Sequence, residues 1–219
     1  MLKEGESITM NTEEVIKKLF QDIDGFSLND VPDIDLYMDQ VTTYLNKKFE
    51  SSKKNDDDKL LTKTMINNYA KSHLLPPPEK KKYSKDHVLV LAMIFFYKNI
   101  ITINDIATVI SPLLDYHFHA DDDSLEKIVN IFLEKIDNKA IMATILEKYN
   151  SSTNLMEFTG TNEDYYKTLE LITSLCYDVY IKKMLIERLI VQFPTSKISD
   201  SNNKETEKSK EKGKEKKEK

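Results

Sequence analysis

Ten consecutive residues, 88–97 (VLVLAMIFFY), are apolar, and winding them into a helix leaves no polar face. Such a helix must be covered on every side, since each Å² of apolar surface left in water forgoes about 25 cal/mol. The run has about half the roughly 20 residues that a bilayer-crossing helix needs, and Lys98 and Asn99 follow it at once. It therefore predicts a central helix of a water-soluble core, wrapped by helices further along the chain or by a second subunit.

The rest of the chain has little turn material. Four glycines and six prolines occur in 219 residues, with Pro76, Pro77 and Pro78 consecutive. Apolar spacings of three and four recur instead, so the chain reads as all-α. Asn11 or Thr12 caps a first short helix with Val15, Ile16, Leu19 and Phe20 on one face, ending near Gly25. Pro32 and Asp33 open a second, carrying Leu36, Tyr37, Val41, Tyr44, Leu45 and Phe49. The polar stretch 50–59 separates it from a helix that Thr62 caps and that runs to about His73, because three residues without an amide hydrogen forbid continuation. Ser84 caps the apolar helix, which runs to about Asn99. Thr102 with Asp105 three residues on marks a short helix ending before Ser111 and Pro112. A loop over 111–121, a helix from Ser124 or an aspartate before it, one over 140–149 and a long one from about Glu163 to Phe193 complete the pattern. Residues beyond Pro194 have almost nothing to bury, which predicts a disordered lysine- and glutamate-rich tail over 196–219. The expected units are an N-terminal helical arm (1–31), a central unit (32–115), a C-terminal helical region (116–195) and the tail.

Charge is concentrated where the prolines are. Residues 61–103 hold Lys63, Lys71, Lys80, Lys81, Lys82, Lys85 and Lys98 against Glu79 and Asp86, a net +5 in a chain of net −5. A basic island in an acidic protein is where a polyanion is attracted, although lysines in a loop are also simply well solvated. Arg188 is the only arginine, so the island has no planar fork to grip guanine, and lysine favours phosphate contact over base reading. The polar, acidic start MLKEGESITM lacks the form of a signal peptide, and the single cysteine, Cys176, allows no internal disulfide. Both point to a cytoplasmic protein. Cys176 shares an apolar stripe with Ile172 and Val179, which predicts a buried structural thiol.

The stretch 62–106 resembles the winged helix-turn-helix of MerR-type transcription regulators, through residues 62–71, Leu74-Leu75-Pro76, the basic segment 79–82, Tyr83-Ser84-Lys85-Asp86 and Thr102-Ile103-Asn104-Asp105-Ile106. More closely, DIDLYMDQVTTY (33–44), LTKTMINNY (61–69) and 76–83 resemble an uncharacterised family of bacterial domain proteins. The MerR resemblance implies a recognition helix in a DNA major groove and a lysine wing on the phosphates. It makes Asn67 the counterpart of a DNA-contacting arginine and Tyr69 that of a tyrosine touching the backbone. It also implies a long dimerising helix, for which 163–193 is the candidate. The nucleic-acid-binding residues expected on this basis are Thr62, Lys63, Thr64, Asn67, Asn68, Tyr69, Lys71, Lys80, Lys81, Lys82 and Tyr83, with Thr64, Asn67 and Asn68 nearest the base edges.

Other constellations are weaker. His117 and His119 are flanked by Asp115 and by Asp121, Asp122 and Asp123, and in an extended segment both rings would lie on one side and invite a divalent metal. Without a third ligand fixed by spacing, an acidic inter-helix loop is the plainer reading. His73 and His87 belong beside the turn or at helix ends rather than acting as bases. Tyrosines at helical spacing are core by default, with Tyr69 and Tyr83 excepted because they flank the basic turn. The chain has no phosphate-binding glycine loop or nucleophile elbow, and neither an enzyme nor a cofactor is expected. The expected function is that of a DNA-binding transcriptional regulator acting on double-stranded DNA, with a homodimer and a small-molecule effector as further partners and no membrane. A helical adaptor binding an acidic protein, or a ligand sensor without DNA binding, are the alternatives.

Overall fold

The computed structural model describes residues 11–22, 31–53, 58–151 and 163–193, so the expected tail and part of the N-terminal arm lie outside the described residues. The elements in order are α1 (Thr12–Asp22), β1 (Leu36–Tyr37), α2 (Met38–Lys48), a 3-10 turn (Glu50–Ser52), α3 (Lys63–Lys71), β2 (Lys82–Tyr83), α4 (Lys85–Tyr97), α5 (Ile103–His117), α6 (Ser124–Glu134), α7 (Asn138–Asn150) and α8 (Glu163–Ile190). Among the described residues the only strands are β1 and β2, which pair antiparallel with Leu36 opposite Tyr83 and Tyr37 opposite Lys82.

The apolar run forms α4, and the core is built round it. His87, Val88, Leu89, Val90, Leu91, Ala92, Ile94 and Phe95 are all buried, under Val41 and Leu45 of α2, Ile106 and Ile110 of α5, and Leu125 and Val129 of α6. Phe49, just past α2, stacks flat on Phe95 with ring centroids 4.0 Å apart. Only Phe96, at 45 %, leaves a large side chain of this helix exposed, so one subunit suffices to cover it. The expected cover from beyond Ser124 comes, in the buried cluster, from Leu125 and Val129 of α6. α7 and α8 add no residue to this core cluster; α7 packs on α1, and α8 packs on α7 and α5. Thr12 and Thr168 join α1 to α8 through hydroxyls 2.6 Å apart, and Lys148 of α7 is paired with Asp178 of α8.

Three expectations are corrected. The second helix does not open at Pro32 and Asp33; it starts at Met38, because Leu36 and Tyr37 pair with the strand before α4 and the Gln40 side chain accepts the Tyr37 amide at 2.8 Å. The helix from Thr102 does not stop before Ser111. It runs through Pro112 to His117, losing one amide donor while Leu113 and Leu114 pack against the core. Cys176 is exposed rather than buried, since α8 turns Leu171 and Ile190 inward and leaves the Ile172–Val179 side in solvent.

Leu91 is fully buried at the centre of α4. Leu91→Ala is expected to cost about 2–5 kcal/mol through lost transfer energy and the cavity left behind, measurable by urea unfolding; a change within experimental error would contradict the packing described.

Candidate nucleic-acid interface

The Thr62 hydroxyl accepts the Met65 amide at 3.2 Å and starts α3. Ile66 and Tyr69 are buried, while Lys63, Thr64, Asn67, Asn68 and Lys71 are exposed. Positions 63, 67 and 71 and positions 64 and 68 are four apart and share one face of the helix. That face carries no carboxylate, as the sequence of α3, KTMINNYAK, has none. The helix ends well before the prolines. The amides of His73 and Leu74 turn back to the carbonyls of Ala70 and Tyr69 at 3.2 and 2.9 Å, a Schellman closure whose left-handed position is held by His73 at φ 56°. Leu74 and Leu75 then plunge into the core.

α3 is fixed to α2 by Asn46 rather than by a tight turn. Its amide nitrogen donates to the Leu61 carbonyl at 2.8 Å and its oxygen accepts the Leu61 amide at 3.0 Å. Lys98 at the end of α4 donates to the Leu60 carbonyl at 2.7 Å, and burial pushes its ammonium below the usual lysine value. Lys98 thus serves as an internal clamp and not as part of a basic surface. Beside the start of α3 a cleft of about 680 Å³ opens between Thr42, Thr43 and Asn46 of α2 and Thr62, Lys63 and Thr64.

The basic segment is a two-residue hairpin turn. The Lys82 amide donates to the Glu79 carbonyl at 2.8 Å, and Lys80 and Lys81 both have positive φ, 47° and 66°, the signature of a type I′ turn that asparagine and glycine normally occupy. Both lysines are exposed at the tip. Lys82 lies over the Tyr37 ring, 5.7 Å from its centroid. The other lysines are partly spoken for. Lys63 pairs with Asp39, and Lys85 reaches Asp33 at 2.7 Å and Glu126 at 2.8 Å. Burial works against the Lys85 charge, but the hydrogen bonds to those carboxylates outweigh it and hold the ammonium above its ordinary value. Tyr69 and Tyr83, expected as exceptions to core packing, are 7 % and 3 % exposed. They belong to the core, and burial raises both phenols.

His117 and His119 do not share an extended segment. His117 ends α5 and faces the Ser124 hydroxyl at 2.8 Å, whereas His119, at φ 57°, faces the Ser84 hydroxyl at 2.9 Å. No group of three or more possible metal ligands occurs among the described residues. His87, placed at a helix end by sequence, is also buried. Its Nδ1 accepts the Ser84 amide at 3.1 Å, and the Ser-x-x-His spacing is the local signal for that contact.

Residues 26–132 match the family model described as Domain of unknown function (DUF1836). Neither a curated protein nor a solved structure matches the chain. The main core cluster runs from Val31 to Val129, so the matched segment coincides with the body built round α4, and α1, α7 and α8 lie outside it. Both α3 and the lysine turn fall within the matched segment.

Removing the Asn46 amide strands the backbone groups of Leu61. Asn46→Ala is expected to cost about 1–3 kcal/mol and to raise amide exchange across 58–64; unaltered exchange there would mean that the clamp does not hold α3.

Proposed function

We propose that the protein binds double-stranded DNA, with α3 in the major groove and the 79–82 turn on the flanking phosphates, and that it acts in the cytoplasm as a transcriptional regulator of MerR-like winged helix-turn-helix type. The observation that carries this reading is the exposed face of α3, which has no carboxylate of its own and presents Thr64, Asn67, Asn68 and Lys71, with Lys63 paired to Asp39 of α2 at its start, in a protein of net charge −5. Amide side chains at such positions suit adenine edges, and lysines suit phosphates. The left-handed backbone at Lys80 and Lys81 supports it further. Asparagine and glycine would fit those positions with less strain, so lysine there favours charge over stability.

A second copy of the chain is the proposed partner of α8. Tyr165, Leu169, Ile172 and Val179 are exposed, as is Cys176, and their spacing of four and three is the repeat of a helix–helix seam. A cleft of about 290 Å³, with Tyr97, Ile101 and Val109 on one wall and Ile186, Leu189 and Phe193 on the other, suits a small apolar effector.

Replacing Lys80 and Lys81 by Asn-Gly separates charge from fold. The pair should leave stability unchanged or raise it, yet lower the slope of log affinity against log salt by about one unit for each lysine that contacts a phosphate. Asn67→Ala should cost about 1–3 kcal/mol on a preferred site and little on random DNA. An unchanged salt slope together with binding to an acidic protein would favour the adaptor reading.

For the seam, Ile172→Glu should convert a dimer to a monomer in sedimentation velocity. A wild-type chain that remains monomeric at its highest soluble concentration would rule out the second copy.

A further inference from the structure

The helices α2 and α4 each follow a strand of the same two-stranded ribbon, and each begins with the same device, a side chain three residues in that accepts the backbone amide of the cap. In α2 that side chain is Gln40, which takes the Tyr37 amide at 2.8 Å; in α4 it is His87, which takes the Ser84 amide at 3.1 Å. Glutamine is the ordinary residue for this work. A histidine does it only while Nδ1 is unprotonated, because protonation would set one donor against another.

His87 is surrounded in a way that makes its proton state matter. It is 1 % exposed. Accepting at Nδ1 places its proton on Nε2, which faces the Pro77 carbonyl at 3.4 Å and joins α4 to the proline segment leading into the lysine turn. The Ser84 hydroxyl lies 2.8 Å from Nδ1 and 2.9 Å from His119 Nε2, which ties the α5–α6 connection to the same point. The groups facing His87 are the Tyr83 ring from β2, the Phe118 and His119 rings from the α5–α6 connection, and the backbone of Pro76 and Pro77, beside the Ser84 hydroxyl already described. Asp86, next to His87 in α4, is engaged by the His119 amide at 2.7 Å, and Lys85 is engaged by Asp33 and Glu126. A charged imidazole would also sit at the positive end of the α4 dipole.

We propose that Ser84, His87 and His119 form a proton-operated latch that holds the proline–lysine turn against α4 at neutral pH and releases it in acid. Burial holds the His87 imidazole below its usual value, opposed by the Pro77 carbonyl and Asp86 and reinforced by His119. The unfolded or opened state therefore binds the proton more readily, and the latch contributes fully above about pH 6.5 and is lost as pH falls below it. The consequence for DNA rests on the function proposed above. Acid makes the chain less negative, which by itself would tighten binding to a polyanion, whereas release of the turn predicts weaker sequence-specific binding.

The test is amide exchange on the full chain at about pH 7.5 and about pH 5.5, corrected for the intrinsic pH dependence of exchange. The amides of Lys82 and Ser84 should lose protection, by up to about tenfold, the limit for one proton taken up by an imidazole of ordinary value about 6.5 in the opened state over this pH interval, while α2 is unaffected, and His87→Gln should abolish the loss. Equal protection at both pH values, or the same loss in His87→Gln, would overturn the latch. If that variant does not fold, the wild-type imidazole resonances of His87 decide, since the Ser84 and Lys82 amide shifts must titrate with the same midpoint and a different midpoint overturns the proposal. Absence of DNA binding at every pH would remove the DNA reading and leave the exchange result standing.

Discussion

Everything in the central body depends on burying α4. A helix with no polar side cannot sit on a surface, and the chain answers by bringing α2, β2, α5 and α6 round it. That requirement places the parts of the candidate interface as a by-product. The antiparallel pairing of β1 with β2 sets the start of α2 beside the start of α4, Leu74 and Leu75 are pulled inward after α3, and the lysine turn is left projecting between the buried leucines and the buried Tyr83.

The local rules were readable where a single residue decides. Thr62, Ser84 and Thr102 mark helix starts because a cap satisfies otherwise orphaned amides within three residues. What could not be read depended on partners distant in sequence. Leu36 and Tyr37 have apolar helical spacing with Val41 and Tyr44, and only their pairing with Lys82 and Tyr83 makes them a strand. Pro112 carries the local signal of a stop, overridden by Leu113 and Leu114 packing on the core. Tyr69 and Tyr83 flank the basic segment in sequence, yet their rings point the other way. The basic island was visible as charge, but sequence gave no hint that Lys98 turns inward to Leu60 or that Lys85 is held by two carboxylates.

The same sorting sharpens the candidate interface. Of the lysines in the island, Lys71, Lys80 and Lys81 are exposed with no ion pair among the described residues, while Lys63, Lys85 and Lys98 are engaged within the protein. A nucleic acid would meet a small set of cations carried on two rigid supports, the exposed face of α3 and a two-residue turn whose backbone is held in the left-handed region. Asn46 and His87 lie behind those supports, one fixing where α3 begins and the other fixing how the turn enters α4. Outside the segment that matches the family model, α8 presents a surface of a different kind, long and with many exposed apolar side chains.

Backbone amide shift mapping of the full chain against a mixture of double-stranded genomic fragments addresses the interface most directly. DNA contact through this surface requires the largest perturbations at Thr64, Asn67, Asn68, Lys71, Lys80 and Lys81, fading as salt is raised. Perturbations confined to α8, or none at low salt, would contradict it.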